Sequence, residues 1–149
     1  MNKFKSNFNE KLFEFWIYLS LFLVISIIFI GGLTRLTDSG LSITEWELLK
    51  GLFPPKNETE WNLYFEKYKL IPQYQLLNPT MTLDEFKIIF LWEYVHRIFA
   101  RLLGLIFIIF LIYFSITKQL SRDSFKSLSL IFLLIIFQGV IGWIMVKSS

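Results

Sequence analysis

Two stretches of this chain run uncharged for long enough to cross a lipid bilayer, and no other feature limits its fold as much. The first runs from Phe15 to Leu33 and the second from Leu128 to Val146. A hydrocarbon core about 30 Å thick needs roughly 20 apolar helical residues at about 1.5 Å rise each. Lipid offers no hydrogen bonds, so each stretch must satisfy its own backbone, and both read as transmembrane helices. Composition agrees. The chain is 54% hydrophobic, with 17 Phe, 5 Trp and 6 Tyr among 149 residues, more than a soluble domain of this size can hide. The sequence predicts an all-α, polytopic membrane helical bundle.

A third span lies between these two. From Leu102 to Thr117 it is purely apolar, and upstream of that it is interrupted by Glu93, His96, Arg97 and Arg101. Thr82-Leu-Asp-Glu85 has the form of a capping box, which starts the helix near Thr82 and lets its membrane part begin near Ile88. The spans are therefore placed at about 15–33, 88–117 and 128–146. Lys3, Lys5 and Lys11 precede the first span, and Lys118, Arg122 and Lys126 lie between the second and third. The positive-inside rule puts both groups in the cytoplasm. The loop 34–86, acidic on balance, then lies outside, and the C-terminus emerges there too. The N-terminal segment is neither Arg-rich nor poor in acids, unlike a mitochondrial transit peptide, and the first span lacks a small-residue cleavage site. The reading is a retained helix in a bacterial cytoplasmic membrane, with lipid as its surroundings.

The loop carries its own structure. Asn57-Glu-Thr-Glu60 is a second capping pattern, followed by Trp61, Tyr64, Phe65 and Tyr68 at the spacing of one helix face. Thr44 to Lys50 suggests a further short helix around Trp46, with Pro54-Pro55 and Pro72 breaking the chain between pieces. The expected picture is a cap of amphipathic helices on the outer membrane surface. An aromatic belt at the interface accounts for the same rings without any function. The chain has no cysteine, which excludes disulfides, thiolate metal sites and cysteine catalysis. It has no glycine-rich phosphate loop and no nucleic-acid signature.

Chemistry concentrates on the second span. Glu93 and His96 are three residues apart, and Glu93, Arg97 and Arg101 follow at intervals of four, so one face carries carboxylate, imidazole and guanidinium groups, with Gly104 below. Ionisable groups at membrane depth cost roughly 2.5–3.5 kcal/mol each and need partners. One explanation is a Glu93–Arg97 ion pair reaching for the interface, with His96 a bystander. The other is a cofactor site. Histidine is a common axial ligand of heme iron, arginines pair with heme propionates, and a neighbouring carboxylate can act as acid, base or nucleophile. Gly104 would allow close approach of a flat ring or another helix.

Several longer motifs narrow this choice. Gly31-Gly-Leu-Thr-Arg-Leu-Thr-Asp-Ser-Gly-Leu-Ser42 closes the first span, Met81-Thr-Leu-Asp-Glu-Phe-Lys87 and Glu93-Tyr-Val-His-Arg97 open the second, and Gln138-Gly-Val-Ile-Gly-Trp-Ile-Met-Val-Lys-Ser148 closes the third. With Trp46, Pro54-Pro55 and Trp61 between them, they resemble the heme A synthase family of the mitochondrial and alphaproteobacterial type, from about Gly31 to the last residue. The resemblance implies a protein of two similar four-helix halves that converts a methyl group of heme O to the formyl group of heme A for cytochrome oxidase. Two successive hydroxylations give a gem-diol that loses water. It implies Glu93 as the essential carboxylate, His96 as an axial ligand of heme iron, heme O as substrate and heme b as cofactor; Arg97, next in the motif, and Arg101 are read from their charge as cofactor-side residues, Arg97 as a propionate or structural partner.

The chain departs from the family pattern in three places. Ala100 stands where the family motif usually has Gly, and the cysteine pair that some relatives carry in the first outer loop is missing. The chain also stops after its third span, where relatives continue with a fourth helix bearing a partner histidine and then a second half. His96 is the only histidine. The expected single membrane domain, residues 1–149, is thus a partial four-helix half. Its partner histidine would come from a missing C-terminal half, from a separate chain or from a second copy, and an enzyme supplying heme O is a further possible partner. The competing function is a non-catalytic membrane heme-binding or electron-transfer module.

Overall fold

The computed structural model of the protein describes residues 2–45 and 50–148. Its elements are α1 (Asn2–Leu36), a 3-10 turn (Lys50–Leu52), α2 (Glu58–Lys69), α3 (Pro72–Leu77), α4 (Leu83–Ile116) and α5 (Arg122–Lys147). Among the described residues no strand occurs, and three helices, α1, α4 and α5, are long and apolar enough to cross a membrane.

α1 packs along α4. Trp16, Ser20, Leu23, Ile30 and Thr34 are buried, with half-buried Ile27 among them. Their spacing of three and four is that of a helix–helix seam. On α4 the buried Phe107, Leu111 and Phe114 cluster with Trp16, while the buried Phe86, Phe90, Glu93 and Arg97 meet α2 and the segment after α1. Two ionisable residues thus stand in a row that is otherwise apolar. α5 lies against the later part of α4, where Phe132 stacks on Phe107 at 6.2 Å. Only Leu128 and Val146 of α5 are buried, and the rest of that helix is a broad apolar surface.

The helix ends follow local chemistry. The Thr82 hydroxyl accepts from Glu85 N–H, and the Glu85 carboxylate accepts from Thr82 N–H at 2.8 Å, so the expected capping box is present. At α2, Asn57 Oδ1 accepts from Glu60 N–H at 2.9 Å. Glu60 reaches one residue further back than a capping box requires, to Lys56 N–H at 2.9 Å. α1 and α4 both end with a left-handed residue that is not glycine, Asp38 at φ 49° and Lys118 at φ 54°. In each case the next N–H bonds back five residues, Ser39 to Thr34 and Gln119 to Phe114, the Schellman closure.

Three details differ from the sequence expectations. α1 begins at Asn2, well before the apolar run, because nothing in the polar segment breaks a helix and its charges can reach water from the helix end. Pro72 opens α3 at its first turn, where the missing N–H costs nothing. The face of Trp61, Tyr64, Phe65 and Tyr68 turns toward α4, packing on Phe86 and Phe90 with ring centroids 5.0–6.4 Å apart. The short helix expected around Trp46 falls largely outside the described residues, while Thr44 and Glu45 are not helical and Lys50 starts the 3-10 turn.

Candidate functional site

α4 carries the four predicted site residues across little more than two turns, close to the place where α1 ends and the following segment folds back. The Glu93 carboxylate is 4% exposed. Its Oε1 accepts from Arg97 Nη2 at 2.5 Å, one helical turn away. Its Oε2 accepts from the Ser42 hydroxyl at 2.7 Å and from Ile43 N–H at 2.9 Å. A buried carboxylate is tolerable only when paired and hydrogen-bonded, and this one has a cation, a hydroxyl and an amide.

Arg97 is buried as well. Besides Glu93 it donates to the carbonyls of Ile43 at 2.8 Å and Glu45 at 3.3 Å. The N–H and C=O of Ile43 are therefore both held by α4 side chains, while its own side chain enters the aromatic cluster of α2 and α4. Arg101, one turn further along, donates to Gly51 O at 2.7 Å, and Tyr94 OH to Leu52 O at 2.7 Å. A cavity of about 20 Å³ remains between Arg97, Arg101, Tyr94, Phe90 and the loop, room for about one water molecule.

His96 points elsewhere. Its ring lies against the α1 backbone near Ile27 and Gly31. A Cβ added to Gly31 would come within 3.0 Å of His96 Cε1 and 3.4 Å of Nδ1, so glycine makes room for the imidazole. His96 Nδ1 is buried and has no hydrogen bond of ordinary geometry among the described residues. The imidazole thus sits against a side-chain-free stretch of α1, and histidine is a donor type that suits heme iron. Gly104 has open space around its Cα, with no neighbour within 4 Å of an added Cβ.

The predicted residues divide into two sets. Glu93, Arg97 and Arg101 turn toward the segment after α1, and His96 turns toward α1 itself. The pairing of Glu93 with Arg97 was readable from their spacing. Ser42, the backbone of Ile43, and Gly31 as the seat of His96 were not assigned roles by sequence reasoning. Ser42 and Gly31 do bound the motif that closes the first span, and this is the only signal that could have marked them.

Residues 14–149 match the family described as COX15-CtaA, cytochrome oxidase assembly protein. The chain is 47% identical over 139 residues to the Heme A synthase of Pelagibacter ubique (strain HTCC1062), covering 93% of this chain and 41% of that protein. It is 47% identical over 141 residues to the Heme A synthase of Bartonella quintana (strain Toulouse), covering 95% of this chain and 39% of the relative. With the Heme A synthase of Flavobacterium psychrophilum (strain ATCC 49511 / DSM 21280 / CIP 103535 / JIP02/86) the identity is 44% over 143 residues, 95% of this chain and 42% of the relative. No solved structure matches the chain. The chain spans about two fifths of the length of the curated relatives it matches. With its match running from the first membrane helix to the last residue, this chain belongs to the COX15-CtaA family of cytochrome oxidase assembly proteins.

Proposed function

We propose that this chain is the N-terminal part of a heme A synthase that oxidises the methyl group of heme O to the formyl group of heme A for cytochrome oxidase biogenesis. One observation carries the reading: a buried, hydrogen-bonded carboxylate sits one helical turn from a histidine whose buried Nδ1 has no hydrogen bond of ordinary geometry among the described residues. The match to heme A synthases across nearly the whole chain supports it.

In this reading His96 would hold heme iron from this half of the site. Heme supplies the redox-active iron, heme O being the substrate and heme b the cofactor of the completed protein. Glu93 is the catalytic carboxylate. It would accept or return protons as an oxidant outside this chain takes the four electrons lost when the methyl group becomes a formyl group. Arg97 holds that carboxylate in place and, with Arg101, puts positive charge on the side taken by heme propionates. The chain is the first part of a two-half protein, and the partner histidine comes from the C-terminal half or from a second chain. An enzyme that makes heme O is the natural donor. Lys118, Arg122 and Lys126 at the α4–α5 turn support a cytoplasmic N-terminus in a bacterial inner membrane, with the site near the outer face.

The test is replacement of the gene at its own locus by His96→Ala and Glu93→Gln, with extraction and quantification of hemes from the membranes. Glu93→Gln is expected to stop heme A formation and accumulate heme O or the alcohol, with heme still bound by the protein. His96→Ala is expected to lose the bound heme. Normal heme A in the Glu93→Gln strain would overturn the catalytic reading. If heme binding nevertheless depended on His96, the chain's sole histidine, the non-catalytic heme-binding or electron-transfer module would replace it.

A further inference from the structure

We infer that Ser42 is a positioning residue for Glu93, setting where its carboxylate stands relative to His96; the inference rests on the proposed role of Glu93. The partners of the carboxylate differ in what they can fix. Arg97 lies on the same helix, four residues on, so its bond to Oε1 is made within α4 and reaches the loop only through the carbonyls that the guanidinium also holds. Oε2 is held instead by Ser42 and Ile43, 51 and 50 residues earlier in the chain. These residues follow α1 directly, and α1 is also the helix that seats His96 at Gly31. The Ser42 contact therefore ties the carboxylate to the segment that continues from the helix that sets the imidazole.

The hydroxyl is well suited to this. Ser42 is 1% exposed, so water does not compete for the bond. Its oxygen lies 2.7 Å from Glu93 Oε2 and 3.4 Å from Ile89 O. A serine has one hydroxyl proton, and the shorter, charge-assisted contact takes it. Without the hydroxyl, Ile43 N–H alone would hold Oε2, and the carboxylate would rest on that amide and Arg97 in place of three donors. A carboxylate misplaced near a reacting carbon slows the reaction and leaves binding largely intact.

The test uses Ser42→Ala and Ser42→Thr at the gene's own locus, with wild type and Glu93→Gln as references. Hemes are quantified in the membranes, and infrared spectra are recorded on protein purified from them into lipid. The Glu93 carboxylate bands are those that disappear in Glu93→Gln. Ser42→Ala is expected to shift these bands and to lower the ratio of heme A to unconverted heme O and alcohol on the order of tenfold, without loss of bound heme. Ser42→Thr, which keeps the hydroxyl, is expected to restore both. Unshifted carboxylate bands in Ser42→Ala would overturn the inference. So would shifted bands with an unchanged product ratio in a strain whose wild type makes heme A. Should wild type make none while the bands shift in Ser42→Ala and return in Ser42→Thr, the positioning stands and the catalytic reading of Glu93 falls.

Discussion

The two ends of α4 are held by different physics. Toward its N-terminus, Glu93, Tyr94, Arg97 and Arg101 fasten five loop residues through six hydrogen bonds, five of which involve loop backbone groups. Toward its C-terminus, Phe107, Phe110 and Phe114 surround Trp16 with ring centroids 5.1–5.8 Å apart. Lipid tails are as apolar as phenylalanine, so ring packing gains mainly dispersion energy there, whereas a buried charge that loses its partner has no water to turn to. The first end is directional and intolerant, and the second is plastic.

The largest effect should come from Arg97→Met. It strands the Glu93 carboxylate and releases the carbonyls of Ile43 and Glu45, and breaking a buried ion pair costs about 3–5 kcal/mol. Unfolding in bicelles should report that loss, and proteolysis should find the 37–57 segment newly open while the α4–α5 turn stays protected. A loss under about 1 kcal/mol would mean that this pair is not what holds the loop.

Trp16→Ala should cost less. In a water-soluble core such a truncation costs about 3–5 kcal/mol, but without the water-to-oil transfer share roughly 1–2 kcal/mol remains. Unfolding in the same bicelles measures it, and the 37–57 segment should keep its protection. A cost equal to that of Arg97→Met would erase the distinction between the two ends.

The smallest effect concerns the turn after the aromatic end, where Gln119 N–H bonds back to Phe114 O. Lys118 has φ 54°, where glycine pays no steric penalty. Lys118→Gly should stabilise the protein by about 0.5–1 kcal/mol, read as a rise in melting temperature. A fall would mean that the lysine side chain contributes more than its strained backbone costs.

The sequence showed clearly whatever depends on residues close together. The apolar spans, the capping box at Thr82, the amphipathic face of α2 and the Glu93–Arg97 pair all lie within one or two turns, and each appears in the structure. The start of α1 was not legible, because the apolar run marks what lipid tolerates and not where hydrogen bonding begins. The loop contacts were not legible for another reason. Arg97 and Arg101 were expected to face a cofactor, yet the bonds resolved here include those to the carbonyls of Ile43, Glu45 and Gly51. Every residue offers a carbonyl, so no residue type marks those acceptors, and their distance of 50 residues or more in the chain hides the pairing. Ser42 was visible only as the last residue of a motif.

The span between Ser42 and Glu93 also orders events during synthesis. Ser42 leaves the ribosome 51 residues before the carboxylate it will bind, and Ile43 leaves 54 before the guanidinium that takes its carbonyl. Glu93 and Arg97, only four apart, can pair within the nascent helix, so the translocation machinery handles a dipole in place of two separate charges. The segment behind α1 has to wait until α4 arrives. Insertion of α4, not of α1, is the committing step in assembling the site, and a delay in translation between the two helices would lengthen the interval in which that segment stands unlatched.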